Sequence, residues 1–193
     1  MNEVLSLCDY SGVWSGPWER GGYSITRIDL QSGADVRLLR YLECAPVVIL
    51  AAPPCDHLAG SGARWWAGKG EGALLEALAV VDACLRAVAI YRPRVWALEN
   101  PSGRLSRYLG PPTGTFNPAD YGDPYTKRTC LWGEFTLPQK NPVAATEGSR
   151  MHLMAPSPQR KNLRSVTPGG FAEAFYLANH WLVRRTAGSG EVA

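Results

Sequence analysis

Apolar positions along the chain form short blocks of strand character and longer stretches at helical spacing, parted by segments rich in Gly and Pro. Residues 4–10 read as a first strand that runs into Ser11-Gly12-Val13-Trp14-Ser15-Gly16-Pro17. This glycine-bearing turn either brings backbone close to a ligand or is a tight turn and nothing more. Residues 23–30 read as a second strand with Asp29 at its tip, a place suited to ribose hydroxyls and equally to a solvated loop aspartate. Residues 35–43, carrying Val36, Leu38 and Leu39, predict a short helix or turn. The four apolar residues Val47-Val48-Ile49-Leu50 predict a strand buried on both faces, and Pro53 and Pro54 beyond it fix the backbone and donate nothing to a ladder. Cys55 follows at the carboxyl end of that strand, where open α/β sheets collect ligands. It is either a nucleophile or a buried structural thiol.

Residues 58–70 gather Gly60, Gly62, Gly68 and Gly70 around Arg64, Trp65, Trp66 and Lys69. One reading is a mobile loop that closes over a site, with Arg64 and Lys69 on phosphates and Trp65 stacked on a base. The other is a tryptophan pair covering the first turn of the next helix. Leu74, Leu78, Val81, Leu85 and Val88 alternate steps of four and three, predicting an amphipathic helix over residues 71–90 that Arg92-Pro93 ends. Val95-Trp96-Ala97-Leu98 predicts another buried strand, finishing in Glu99-Asn100 with Pro101 breaking the ladder. Strand, helix and strand in that order imply a right-handed parallel crossover, so Cys55 and Glu99 should share one edge of the sheet. A carboxylate there is a general-acid candidate, because a dry site raises its pKa. Residues 102–122 read as loop with at most a short helix, and residues 123–133 as a strand with a cationic approach at Lys127 and Arg128. Residues 138–162 read as loop, residues 167–183 as a closing helix opened and capped at Thr167-Pro168, and the residues after Arg185 as a frayed tail.

Composition narrows the class. A chain of 193 residues, 46% hydrophobic and 19% charged, supports one globular domain. Its apolar runs are too short to span a membrane, and its first residues lead into a strand rather than a secretory signal. The five cysteines are scattered, with no Cys-x-x-Cys pair, which predicts reduced thiols in a cytoplasm and neither a zinc finger nor a disulfide framework. His57, His152 and His180 have no ligand spacing to those cysteines, so no metal is expected. A net charge of +3 is too small to announce nucleic acid by itself.

A buried strand ending in Pro53-Pro54-Cys55, a Gly-rich stretch, a helix and a strand ending in Glu99-Asn100 is a specific order, and it resembles the DNA (cytosine-5) methyltransferases. Tyr121-Gly122 through Arg128 is similar to that family's Tyr-Gly-x-Pro segment with its basic residues. Arg164-Ser165-Val166-Thr167-Pro168 is similar to its late Arg-x-x-Thr-Pro stretch, and Tyr10-Ser11-Gly12 to its Phe-x-Gly. The resemblance implies a single Rossmann-like α/β domain over residues 1–185, its mostly parallel sheet carrying helices on both faces. It implies S-adenosylmethionine held by Tyr10, Ser11, Gly12, Trp14, Asp29, Asp35 and Val36, and DNA met by Arg64, Trp65, Lys69 and Lys127. It also implies catalysis by Cys55 and Glu99, with Pro54 and Asn100 in their motifs and Arg128 or Lys127 on the base carbonyl.

The pattern departs from the family in several places. Trp14-Ser15 stands where a second glycine pair is usual, Asp29 and Asp35 are too close for an intervening helix, and Pro101 replaces a valine. Residues 134–163 show no strand pattern where the family places a large target-recognition domain. Short versions of this kind resemble those carried by bacterial viruses, where modification would protect a genome from restriction. The expected function is therefore cytosine methylation in DNA with little sequence specificity, or with specificity lent by a separate partner. The same chemistry on single strands, RNA or free cytosine nucleotides stays open, as does an inactive nucleic-acid-binding module.

Overall fold

The structure, a computed structural model, describes residues 2–184. The expected tail beyond Arg185 lies outside the described residues. Six strands form one sheet in the order β2-β1-β3-β4-β6-β5. They are β1 (Glu3–Leu7), β2 (Ser24–Ile28), β3 (Val48–Ala51), β4 (Val95–Pro101), β5 (Gly114–Phe116) and β6 (Thr129–Glu134). β1 pairs in parallel with β2 and β3, and β3 with β4, whereas β6 runs antiparallel to both β4 and β5. The expected mostly parallel α/β sheet is present.

Alternation along the central strands sends side chains to both faces, and helices cover both. On one face Val4, Val48, Leu50, Val95 and Ala97 pack with Trp14, Trp18, Phe171 and Phe175. These aromatics come from the region of α1 (Gly16–Arg20) and from α6 (Gly169–Arg184). On the other face Leu5, Leu7, Ile49, Ala51 and Leu98 pack with Ala77, Val81, Cys84 and Ala87 of α2 (Trp66–Tyr91). Small residues occupy the centre of that helix's buried stripe, and the expected Leu74, Leu78, Leu85 and Val88 are half-buried at its flanks. The backbone of α2 can therefore lie close to the sheet. Each fully buried Leu or Ile on these faces contributes about 1.5–3 kcal/mol relative to exposure.

Several expectations are corrected. β1 stops at Leu7, because Cys8 turns out of the strand with φ +59° while its N–H still donates to the Ile28 carbonyl at 2.8 Å. Helical structure begins at Trp66, preceded by a 3₁₀ segment at Gly60–Trp65, so much of the expected glycine loop is helical. Gly70 interrupts the helix at φ 73°, ψ 179°, a conformation that glycine adopts without a Cβ penalty. Pro101 does not break the ladder; it is the last residue of β4 and pairs with Thr129. The segment before β6 contains the edge strand β5 as well as α3 (Ser106–Leu109). Residues 138–162, expected to be loop, include α4 (Arg150–Leu153) and the start of α5 (Arg160–Ser165). α6 begins two residues after Thr167, whose hydroxyl lies 3.5 Å from Glu99.

Candidate active site

The parallel topology brings the carboxyl ends of β1, β2, β3 and β4 to one edge, and two cavities open there. The larger, about 930 Å³, is lined by Tyr10 and Ser11 after β1, by Asp29 and Asp35 after β2, and by Cys55 after β3. The smaller, about 360 Å³, is lined by Cys55, Ser102, Asn117, Lys127, Arg128 and Met151 among others. Cys55, Ala59, Ser61 and Arg164 line both. The thiol thus stands where the two spaces meet.

The turn that carries Cys55 is fixed from several directions. Its carbonyl accepts from the N–H groups of Leu58 (3.0 Å) and Ala59 (2.9 Å). The Asn100 side-chain amide donates to the Pro53 carbonyl at 2.9 Å, tying the end of β4 to the Pro-Pro turn. Arg104 adds a further tie: its Nε donates to the His57 carbonyl at 2.7 Å, its N–H donates to the Leu58 carbonyl at 2.9 Å, and its guanidinium lies 4.6 Å from the Trp66 ring centre. Gly103 permits this approach, since a Cβ there would run into the Leu58 carbonyl. Burial pushes the Cys55 thiol up, Lys127 and Arg164 pull it down, and Asp56 and Glu99 push it up.

Glu99 is buried with only 3% of its surface exposed. Thr167 lies 3.5 Å from Oε1, and Oε2 has no partner in the structure. Burial raises the Glu99 pKa, against the pull of Lys127 and the Thr167 hydroxyl. A protonated carboxyl with a spare oxygen is able to donate a hydrogen bond. Lys127 acts on both the thiol and Glu99, while its Nζ donates to the Val166 carbonyl at 3.4 Å. Arg128, expected to be catalytic, is exposed and lines the smaller cavity. Lys127 is the cation set beside the two acidic groups.

The turn after β1 is organised by Asp9, which the sequence reading missed. This buried carboxylate accepts from the hydroxyls of Ser6, Ser11 and Ser15 at 3.0–3.1 Å and from the Ser15 N–H at 3.2 Å. A cluster of serines around an aspartate was the signal for it. Trp14 is corrected: it is fully buried against Phe171 and Phe175, a core residue beneath the turn rather than a ligand contact. At Gly12 the space a Cβ would take faces the Arg27 guanidinium, and the residue is not part of the larger cavity's lining. Asp29 lines that cavity while one oxygen caps a 3₁₀ turn through the Gln31 N–H at 2.8 Å. Asp35 also lines it, with its carboxylate held by Arg37 at 2.7–3.0 Å, and the hydrogen bonds from Arg37 lower its pKa. Val36 beside it is buried and forms part of the apolar wall.

Arg64, Trp65 and Lys69 line the larger cavity from the other side, exposed, with Arg64 5.0 Å from the Trp65 ring centre and Lys69 donating to the Asp56 carbonyl at 2.9 Å. The structure adds α5, whose first half fell in the expected loop. Lys161 pairs with Asp56 at 2.7 Å, and the Asn162 amide donates to Gln31 at 2.7 Å, so α5 bridges the turn after β2 and the Cys55 turn. Among the described residues there is no cluster of His, Cys, Asp and Glu able to hold a metal, and no helix long and apolar enough to cross a membrane.

No protein-family model matches the sequence, and no curated protein matches it. Among solved structures, the chain is similar to a protein described as a candidate DNA modification methyltransferase encoded within a prophage of E. coli. The TM-score is 0.50 and the identity 16%, over 75% of this chain and 53% of that one. The chain therefore spans about half the length of that protein. At this identity the likeness is one of fold.

Proposed function

We propose that this chain is an S-adenosylmethionine-dependent methyltransferase acting on carbon 5 of cytosine in DNA, with residues 1–185 as the catalytic unit. The observation that carries the reading is Cys55 at the junction of two cavities, with buried Glu99 and Lys127 beside it. The larger cavity fits the methyl donor. Asp29 offers a free carboxylate oxygen for ribose hydroxyls, Tyr10 and Ser11 offer a turn held in place by Asp9, and Val36, Ile28 and Leu30 offer apolar surface for a purine. When bound there, the donor supplies an electrophilic methyl group on a sulfonium.

The residues of the chain do the rest. The Cys55 thiolate forms a bond to ring carbon 6, and the electron pair of the ring double bond moves to carbon 5, which then takes the methyl group. Protonated Glu99 donates to the ring nitrogen and Lys127 to the ring carbonyl, stabilising the charge that attack creates. Loss of the carbon 5 proton to water restores the double bond and expels the thiolate. In a duplex the base must first leave the stack, at a cost of about a few kcal/mol. Arg64, Trp65 and Lys69 stand at the rim to hold the opened strand.

The test is covalent trapping. With a short DNA containing 5-fluorocytosine and the methyl donor, the carbon 5 proton is replaced by a fluorine that cannot leave as a cation, so the adduct persists. The expected mass is protein plus DNA plus one methyl group, absent in Cys55→Ala. Methylation without an adduct in the wild type would refute the mechanism.

A further inference from the structure

We propose that the smaller cavity is a phosphate subsite for the cytosine nucleotide, formed by the guanidinium groups of Arg128 and Arg164. The inference rests on the reading of Cys55 as a nucleophile toward cytosine, and it names what else of the substrate that site holds.

The charges around the two cavities differ. The larger mixes Asp9, Asp29, Asp35 and Asp56 with Arg64, Lys69, Arg160, Lys161 and Arg164, whereas the smaller is lined by Lys127, Arg128 and Arg164 and, among the described residues, by no carboxylate. Neighbouring acids do not neutralise the two arginines. Asp56, on the Cys55 turn, is already paired with Lys161 at 2.7 Å, and Asp120 with Lys140 at 3.0 Å. Among the described residues, neither Arg128 nor Arg164 takes part in any ion pair. A cleft lined by one sign of charge concentrates ions of the opposite sign, and planar guanidinium groups match phosphate oxygens in pairs.

The positions fit one ligand. Arg164 lines both cavities beside Cys55, and Arg128 stands exposed at the rim of the smaller one. A base held against the thiol carries its phosphate one sugar away, and both guanidinium groups line the cavity that Cys55 also lines. The volume of about 360 Å³ falls in the range of about 300–1,000 Å³ typical of small-molecule sites. Ser102, Asn117 and Ser149 supply neutral hydrogen-bonding groups for the sugar and base edges. The phosphate can come from a strand or from a free nucleotide, and the chemistry of the subsite is the same for both.

Calorimetric titration of the full chain with deoxycytidine, dCMP and a single-stranded trinucleotide with a central cytosine tests this. It registers no methyl transfer, so its outcome is separate from that of the trapping experiment. The phosphate-bearing ligands should bind at least about tenfold tighter than deoxycytidine, with the advantage falling as salt rises. Arg164→Ala and Arg128→Ala should each shrink the advantage while leaving deoxycytidine affinity unchanged. Should a variant fail to fold, Arg164→Gln and competition by inorganic phosphate against dCMP on the wild type replace it. An advantage for dCMP identifies the free nucleotide as a source, and one confined to the trinucleotide identifies the strand; either upholds the subsite. Equal affinity for all three ligands, no binding of any, or an advantage that survives both substitutions overturns it.

Discussion

The two cavities that meet at Cys55 are built by different means. The larger is walled by the ends of β1, β2 and β3, with carboxylates placed by short hydrogen-bonded turns such as the one around Asp9. The smaller is walled by the turn before β6 and by α4 and its preceding residue, with Arg128 and Arg164 uncompensated. One wall mixes carboxylates with cations, whereas the other carries cations without a carboxylate among the described residues. A thiol at the junction of two cavities is the arrangement that the proposed group transfer requires, with the donor in one and the acceptor in the other.

The sharpest way to break this arrangement short of removing the thiol is Glu99→Gln. Loss of the acidic proton should lower kcat by about 10²-fold or more, with donor affinity unchanged. A change in KM for the donor alone would mean that Glu99 serves the other cavity. The same variant has a stability signature. Because burial raises the folded pKa of Glu99, the stability linked to its proton is complete below the unfolded value of about 4.3 and is lost as pH rises through the folded value. Glu99→Gln should therefore gain stability relative to wild type as pH increases, read from Tm across a pH series.

Asp29→Asn tests the opposite cavity. The amide oxygen can keep the cap on the Gln31 N–H, so the loss falls on the ligand-facing charge. Affinity for S-adenosylhomocysteine should fall about tenfold, the order of one charge-assisted hydrogen bond, with no effect on cytosine nucleotides. The smallest effect concerns the thiol itself. Since burial raises the pKa of Cys55, its alkylation by iodoacetamide should lag that of exposed Cys44 near neutral pH and rise with pH beyond the ordinary thiol range. Lys127→Met should slow it further, because Lys127 favours the thiolate.

How much of this was legible before the structure differs along the same line. The larger cavity follows from local signals: apolar β3 reads as buried, Pro53-Pro54 stops it, and Asp29 falls at the tip of β2. The parallel crossover through α2 then places Cys55 and Glu99 at one edge. The smaller cavity did not declare itself in that way. β5 has three residues and pairs only at the sheet edge, and α4 has four residues held by their surroundings rather than by periodicity. Helices this short show no apolar face to read, because nucleation costs more than they recover alone. Trp14 was misplaced for a related reason. Its neighbours in sequence are turn residues, and only the arrival of Phe171 and Phe175 from α6 makes it core.

The most direct test of the central claim is mass spectrometry of nucleosides from plasmid DNA made in cells expressing the wild type or Cys55→Ala. The account predicts 5-methyldeoxycytidine above background with the wild type and none with the variant. Unmodified DNA in both samples would contradict DNA as the substrate, and equal modification in both would contradict Cys55 as the nucleophile.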